Sequence, residues 1–233
     1  MGDPMRSLPA KESQAKSRVD KVYEYLLERI ISGEVRYGDT ISIKKVAAEL
    51  SVSSMPVREA VKRLEFEGVV TIKPRSACKV RVPSRRMILE VYQVREAMET
   101  YAVTSFGGSV KTEAMSRLRG IVEQMRLCAA EPDTSVREHK AIALDRQFHE
   151  QIIALASNEM LDSFSRQLSL HVNMTLMHEK TYHALESDWA EMHASILDQL
   201  PGHPQKAVEL LRTQFAQATE LWLANGHAKE NGG

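Results

Sequence analysis

The sequence contains only two cysteines, Cys78 and Cys128, among 233 residues. Two cysteines so far apart support neither a disulfide framework nor a zinc site built from paired cysteines. Such sparse cysteine usage is typical of proteins in a reducing compartment, and we therefore expect a cytoplasmic protein.

Long hydrophobic runs are also absent. No apolar stretch approaches the roughly 20 residues that a membrane-spanning helix needs, so we expect no contact with a membrane. Residues 1–16 lack the apolar core of a secretory signal, and we expect them to form a disordered leader. The content of 43% hydrophobic and 27% charged residues is typical of a globular protein that can bury a core.

The formal net charge is zero, but the two parts of the chain differ in sign. Between Lys16 and Val82 there are 14 Lys and Arg residues against 9 Asp and Glu residues, whereas from Pro83 onward there are 15 against 20. A basic segment suits attraction to the phosphates of DNA. The acidic segment suits another kind of partner, and the sequence therefore predicts two domains with different tasks.

Residues 17–82 have the pattern of a winged helix-turn-helix. Apolar residues at helical spacing predict one helix over Ser17–Ser32 and a second over Ile43–Leu50, with Ser42 as its N-cap. A third helix is predicted from Ser53, its expected N-cap, to Gly68. In a helix-turn-helix the second of the two closely spaced helices enters the DNA major groove, and here that helix is the third one.

The predicted third helix is amphipathic. Val57, Val61 and Leu64 fall on one face, while Arg58 and Lys62 project elsewhere. The same pattern fits any amphipathic surface helix, and Arg58 next to Glu59 can equally form an ion pair within the domain. After this helix, residues 69–72 and 79–82 predict a hairpin with a basic tip, which is the wing.

The order and spacing of these residues resemble the DNA-binding domain of GntR-family bacterial transcription regulators. The resemblance is carried by Ile31-x-Gly33 and Gly38-x-x-Ile41, and by the run from Ala47-x-x-Leu50 through Pro56-Val57-Arg58-Glu59-Ala60-Val61 to Gly68-Val69-Val70. It implies that the following residues contact double-stranded DNA: Lys44, Ser53, Ser54, Met55, Arg58, Lys62 and, on the wing, Arg75. The family usually has Arg where this chain has Ser54, so its usual guanine contact is not expected here.

From residue 83 to residue 228 the sequence predicts no strand. Apolar residues at helical spacing predict six helices, with breaks at Gly107-Gly108, Pro132, Ser157 and Pro201–Pro204. Ser187 is expected to cap the fifth of them. The expected fold is mainly α, with a winged helix-turn-helix followed by an antiparallel bundle of six to seven helices and a tail over residues 229–233.

Three residues of the bundle have the spacing of a metal site. Asp145 and His149 lie one turn apart on one helix, and His193 lies on another helix beside apolar residues. A carboxylate with two imidazoles can bind Zn²⁺, Ni²⁺ or Mn²⁺. From spacing alone, a hydrogen-bonded Asp–His pair and a core histidine are the simpler explanation of the pattern.

The motifs Val94-Arg95-Glu96, Asp145-x-x-Phe148-His149 and His193-x-x-Ile196-Leu197 resemble the FCD domain, the effector domain of the FadR subgroup. The resemblance implies that Asp145, His149 and His193 bind a divalent metal, with Arg95 and these three residues beside a small carboxylate effector. Arg95 can equally form an ion pair with Glu99, one turn later on the same helix. The family's fourth ligand, a histidine, aligns here with Gln214 or Phe215. His171 and His178 are further candidates for that role, although solvated histidines are the simpler interpretation.

Together these features predict a homodimeric DNA-binding transcription regulator, more often a repressor in this family, that responds to a small carboxylate and is not an enzyme. One alternative is an architectural DNA-binding protein whose effector pocket has closed around Phe215. Another is a metal-dependent hydrolase or lyase with Asp145, His149 and His193 as catalytic groups.

Overall fold

Two hydrophobic cores organise the chain, one in each of the segments that the charge distribution separates. The computed structural model describes residues 17–73, 78–106, 111–178 and 188–224. Within these ranges the protein forms nine helices and a small three-stranded sheet. The expectation of a mainly helical protein with a winged helix-turn-helix and a helical bundle is confirmed.

Three helices form the N-terminal core: α1 (Arg18–Ile31), α2 (Ile43–Glu49) and α3 (Ser54–Phe66). A capping box fixes the start of α1, because the Ser17 hydroxyl accepts from the Asp20 N–H and the Asp20 carboxylate accepts from the Ser17 N–H. Ser42 caps α2 as expected. Ser53 occupies the N-cap position of α3, but its side chain makes no capping hydrogen bond, so that part of the prediction is wrong.

The turn of the helix-turn-helix depends on Ser51, whose φ of 52° lies in the left-handed region. This conformation ends α2 and lets the Val52 N–H donate to the Ala47 carbonyl (3.0 Å), as in a Schellman motif. The chain therefore reverses within a few residues. α3 then packs against both α1 and α2, and Val57, Ala60, Val61 and Leu64 are almost completely buried.

The wing consists of β2 (Val70–Ile72) and β3 (Cys78–Val80), which pair antiparallel with Val70 opposite Val80. β3 begins and ends earlier than the predicted strand over residues 79–82. A further strand, β1 (Thr40–Ile41), pairs with the other edge of β3, so that the sheet order is β1-β3-β2. The sequence did not predict β1, because two residues are too few to leave an alternating pattern.

Six helices form the C-terminal bundle: α4 (Arg85–Ser105), α5 (Thr112–Cys128), α6 (Thr134–Ala154), α7 (Glu159–His178), α8 (Trp189–Gln199) and α9 (Pro204–Ala224). α4 packs against α6, α7 and α9, and is therefore central to the bundle. The predicted helix breaks at Gly107-Gly108 and the predicted Ser187 cap lie outside the described residues. None of the helices seen in the described ranges is long and apolar enough to cross a membrane.

The two cores meet along α7. Leu170 of α7 is buried in the N-terminal core, and its neighbour His171 lies against Gly68 at the end of α3. On α6, the His139 ring Nε2 lies 2.8 Å from the Ser32 carbonyl oxygen at the end of α1. The DNA-binding fold is thus held against one face of the bundle.

Gly68 allows a direct test of this contact. Its φ is +75°, and an added Cβ would lie 3.3 Å from His171 Cε1. Gly202 has a similar φ of +82°, but an added Cβ there would meet nothing within 4 Å. Gly202→Ala should therefore lower the free energy of unfolding by about 1–2 kcal/mol, the cost of the left-handed conformation. Gly68→Ala should cost more, measured by urea denaturation; equal costs would mean that the His171 contact adds no constraint.

Candidate functional site

The outer face of α3 is polar and exposed. Ser54, Arg58 and Lys62 follow one another at intervals of four residues, and Met55 beside them is 65% exposed. The opposite face is buried in the N-terminal core. A helix fixed on one side and solvent-exposed on the other has the form that enters a major groove.

The cations of α3 differ in what they contact. Lys62 pairs with Glu59 (2.9 Å). Arg63 pairs with Glu67 (3.1 Å) and lies 3.8 Å from the centre of the Tyr23 ring, so it helps to hold α3 against α1. Arg58 forms no ion pair with any residue in the described part of the chain. The alternative of an Arg58–Glu59 pair is therefore not what the structure contains, and Arg58 is exposed.

The other predicted DNA contacts are spread over the same domain. Lys44 is exposed in the first turn of α2, and Ser53 is exposed just before α3. Arg75 belongs to residues 74–77, which lie outside the described ranges. The wing is tied to α3, since the Ile72 N–H donates to the Glu65 carboxylate (2.8 Å). A movement of α3 would therefore carry the wing with it.

In the bundle, the structure brings Asp145, His149 and His193 together. All three are buried, and their ligand atoms lie within 4.8 Å of one another. Asp145 Oδ1 is 3.6 Å from His149 Nε2 and 3.3 Å from His193 Nε2. The helices that supply them, α6 and α8, are far apart in the sequence. The packing of the bundle is what brings the three side chains together.

Hydrogen bonds orient both imidazole rings. His149 Nδ1 donates to Glu99 Oε2 (2.5 Å), and His193 Nδ1 donates to the Trp189 carbonyl (2.8 Å). In a neutral ring the proton lies on Nδ1, so the Nε2 lone pair is available to a metal ion, whereas in a protonated His149 ring Nε2 donates to Asp145. Metal-binding histidines are oriented in this way, by a carboxylate or carbonyl behind the ring.

Arg95 neutralises the buried carboxylates. Its guanidinium donates to Glu99 Oε1 (3.0 Å) and to Asp145 Oδ2 (3.0 Å), which leaves Asp145 Oδ1 for the histidines. Burial raises the pKa of Asp145, but Arg95 and His149 outweigh it and hold that pKa well below its usual range. Burial and Arg95 lower the pKa of His149, and Glu99 and Asp145 reverse this to a net increase.

The position of the family's fourth ligand is taken by Gln214. Its Nε2 lies 2.9 Å from His193 Nε2 and 3.5 Å from His149 Nε2. Phe215, the other candidate, is buried and packs beside Tyr92 and the His149 ring. Two further histidines were candidates for the fourth ligand. His171 faces the winged helix-turn-helix instead of the cluster, and the side chain of His178 lies outside what the structure describes.

The donor set fits a divalent metal. The spacings of 3.3 and 3.6 Å around Asp145 Oδ1 match those expected between ligands at about 2.1 Å from one ion. Gln214 Oε1 is buried without a hydrogen-bond partner, which is unusual for a polar atom in a protein interior. Asp145, His149 and His193 would hold the metal, and Gln214 is within reach to complete its coordination.

A small cavity of about 20 Å³ adjoins the cluster between α4, α6 and α7. Arg95, Glu99 and His149 line one side, and Leu168 and Ser169 of α7 line another. Arg146 also borders it. Sequence reasoning treated Glu99 only as an ion-pair partner of Arg95 and did not single out Arg146. The position of Glu99 one turn after Arg95 on a largely apolar face was the available signal.

The winged helix-turn-helix joined to a helical bundle defines the architecture of a DNA-binding transcription regulator. Residues 18–80 match the family model described as bacterial regulatory proteins of the gntR family, and residues 90–217 match the FCD domain. The chain belongs to the GntR family of bacterial transcription regulators and carries an FCD domain. These are families of regulators rather than of enzymes, in agreement with the expectation from sequence.

Individual relatives agree with this assignment. The chain is 26% identical to the Nta operon transcriptional regulator of Aminobacter aminovorans over 84% of this chain and 95% of the relative. It is 34% identical to the gluconate operon transcriptional repressor of Bacillus licheniformis, over 54% of this chain and only 49% of that protein. A solved GntR regulator from Rhodococcus sp. RHA1 has the same fold, with a TM-score of 0.78 at 24% identity over 91% of this chain and 100% of that one.

Arg95→Leu tests the charge balance of the cluster. Removing the guanidinium leaves two buried carboxylates without their cation, so the free energy of unfolding at pH 7 should fall by about 3–5 kcal/mol. Because Arg95 lowers the pKa of Asp145 in the folded protein, its contribution is present above the unfolded pKa of about 3.9 and lost as the pH falls below it. The deficit should therefore shrink in acid. Urea denaturation at several pH values measures it.

Arg212→Leu is the matched control, because Arg212 is exposed and pairs with Glu96 on the surface at 3.4 Å. It should cost less than about 1 kcal/mol at any pH. Similar losses for the two variants would show that the buried network has no special role in stability.

Proposed function

We propose that this regulator is a homodimeric repressor whose DNA binding is controlled by a small carboxylate bound beside a metal in the bundle. The observation that carries the proposal is the cluster of the buried Asp145, His149 and His193 with the partly buried Gln214. A packed bundle whose only task was to join two DNA-binding domains would need no converging ligand atoms in its interior. The repressor assignment is supported by the similarity to the gluconate operon transcriptional repressor of Bacillus licheniformis.

The DNA-binding part of the proposal centres on Arg58. It is exposed on the outer face of α3 and pairs with no carboxylate among the described residues, so its charge is available for DNA. Ser54 and Met55 lie one turn earlier, where base edges would be reached, and Lys44, Ser53, Lys62 and Arg75 would add phosphate or wing contacts. Two such helices are needed to match two half-sites, which supports a dimer acting on DNA in the cytoplasm.

A carboxylate effector suits the geometry of the cluster. Even with Gln214 as a fourth protein ligand, Mn²⁺ keeps open positions and Zn²⁺ can expand to five ligands, and carboxylate oxygens fill such positions readily. Arg95 is already engaged by Glu99 and Asp145, so it would bind an effector only by releasing one of them. Arg146, on the border of the adjoining cavity, is a second cation near the site. Its buried Nε makes no hydrogen bond and lies 3.7 Å from Glu150 Oε1, a loose ion pair that an effector could replace.

Helix α7 offers the route from effector to DNA. Leu168, Ser169 and Val172 face the cavity beside the cluster, whereas Leu170 is buried in the core of the DNA-binding domain. At about 20 Å³ the cavity holds little more than one water molecule, so binding a carboxylate metabolite requires a wall of the cavity to move, and we propose that this wall is α7. A ligand that binds only the displaced state would shift the position of α3, because Leu170 and His171 would move with the helix.

Arg58→Ala should weaken binding to a duplex that the wild-type protein has selected from a random pool. We expect a loss of about 1–3 kcal/mol, measured by fluorescence anisotropy, and a shallower dependence of affinity on salt, since one cationic contact is removed. Arg119→Ala, which removes an exposed Arg from the bundle, is the control and should leave affinity and salt dependence unchanged. Unchanged affinity for Arg58→Ala with an intact fold would refute the assignment of α3.

His149→Ala should remove both the metal and the effector response. Wild-type protein supplied with Zn²⁺, Ni²⁺ or Mn²⁺ and then dialysed should retain about one equivalent per chain by elemental analysis. In a thermal-shift panel of small carboxylates, at least one compound should raise its melting temperature and release the selected duplex. The variant should retain no metal and respond to none of them.

His203→Ala is the control, because His203 is exposed in the turn before α9. Each variant's own affinity for the duplex without ligand serves as its reference. If the wild-type protein retains no metal and responds to no carboxylate while still binding DNA, the architectural alternative would be the correct one.

A further inference from the structure

The side chain of Gln214 occupies the place where the proposed metal site requires its fourth ligand. Its Nε2 is 2.9 Å from His193 Nε2 and 3.5 Å from His149 Nε2. Both histidines use Nδ1 as a donor, to Trp189 and Glu99, so both Nε2 atoms are acceptors in their neutral form. An amide NH₂ carries two donors and therefore satisfies two acceptors at once. This chemistry also identifies which end of the amide faces the rings.

The other end of the same amide has no partner. Gln214 Oε1 is buried and accepts no hydrogen bond from the described residues. A buried carbonyl oxygen without a donor is destabilising, because it has lost its hydrogen bonds to water and gained none in return. The amide thus satisfies the histidines at the expense of its own oxygen. A rotation by half a turn would exchange the two ends and direct Oε1 towards the point where Asp145 Oδ1 and the two Nε2 atoms converge.

We propose that the Gln214 amide has two orientations, one in the metal-free protein and one in the metal-bound protein. In the metal-free protein its NH₂ group donates to the histidines. In the metal-bound protein the amide is rotated and Oε1 is the fourth ligand. The inference rests on the proposed metal site and concerns how firmly that site holds its ion.

Two consequences follow for metal binding. An amide oxygen is a weaker ligand for Zn²⁺ than the imidazole that the family resemblance implies at this position. The ion must also displace the hydrogen bonds that the amide makes in the metal-free protein. Both effects make the metal exchangeable, so this regulator would respond to the supply of the divalent cation as well as to the carboxylate.

Isothermal titration of metal-free full-length protein with Zn²⁺ tests the proposal, and the absorption spectrum of the Co²⁺ form reports the ligand set. Gln214→His should bind Zn²⁺ at least about tenfold more tightly than the wild type and should change the Co²⁺ spectrum. Gln214→Leu should lower the melting temperature of the metal-free protein, because two buried Nε2 atoms lose their donor. Gln217→His and Gln217→Leu, at an exposed position of the same helix, should alter neither property.

If Gln214→Leu fails to fold, Gln214→Glu replaces it. The carboxylate has the shape of the amide but no donor, so this variant should be less stable without metal and should bind Zn²⁺ more tightly. The proposal is overturned if the wild type binds no Zn²⁺ or if Gln214→His binds it no more tightly. It is also overturned if the metal-free protein keeps its melting temperature when the Gln214 amide is replaced. Absence of Zn²⁺ binding by the wild type would also remove the proposed metal site, whereas an unchanged affinity in Gln214→His or an unchanged metal-free stability would overturn only the role of Gln214 and leave the proposed function intact.

Discussion

The ion pair between Arg95 and Asp145 is the interaction on which the rest of the bundle depends. Charges buried this deeply are tolerated only when they are paired, and each partner here comes from a different helix. Because Arg95 binds one oxygen of Asp145, the other oxygen is directed at His149 and His193. The same guanidinium holds Glu99, which in turn orients the His149 ring. Arg95 thus ties α4 to α6, and Asp145 in turn faces His193 of α8.

A second constraint is that the two cores are joined. Leu170 lies on α7, a helix of the bundle, but its side chain packs into the core of the DNA-binding domain. Gly68, at the end of α3, permits the approach of His171 because it has no side chain. The helix that borders the cluster therefore also touches Gly68, which directly follows the helix proposed to read DNA. A change in the bundle has a short physical path to the DNA-binding surface.

Local pattern predicted much of the fold. The N-cap at Ser42, the buried positions of α3 and the glycine at its end are encoded within a few residues, so they could be identified without the rest of the chain. The two-residue strand β1 could not, because its only support is a neighbouring strand far along the sequence. For Ser53 the local pattern predicted too much. The residue is at the N-cap position of α3, but its hydroxyl makes no capping hydrogen bond.

The sequence by itself determined the two-domain organisation, the family, and three of the residues that meet in the bundle, since these follow from periodicity and from motifs of fixed spacing. It left open whether Gln214 or Phe215 faces those residues, because one position along a helix rotates a side chain by about 100° and the preceding turn sets the phase. It also left Arg58 and Arg95 with two roles each. Only the packing of helices distant in sequence decided that Gln214 faces the histidines, that Arg95 is held by two carboxylates, and that Arg58 remains exposed.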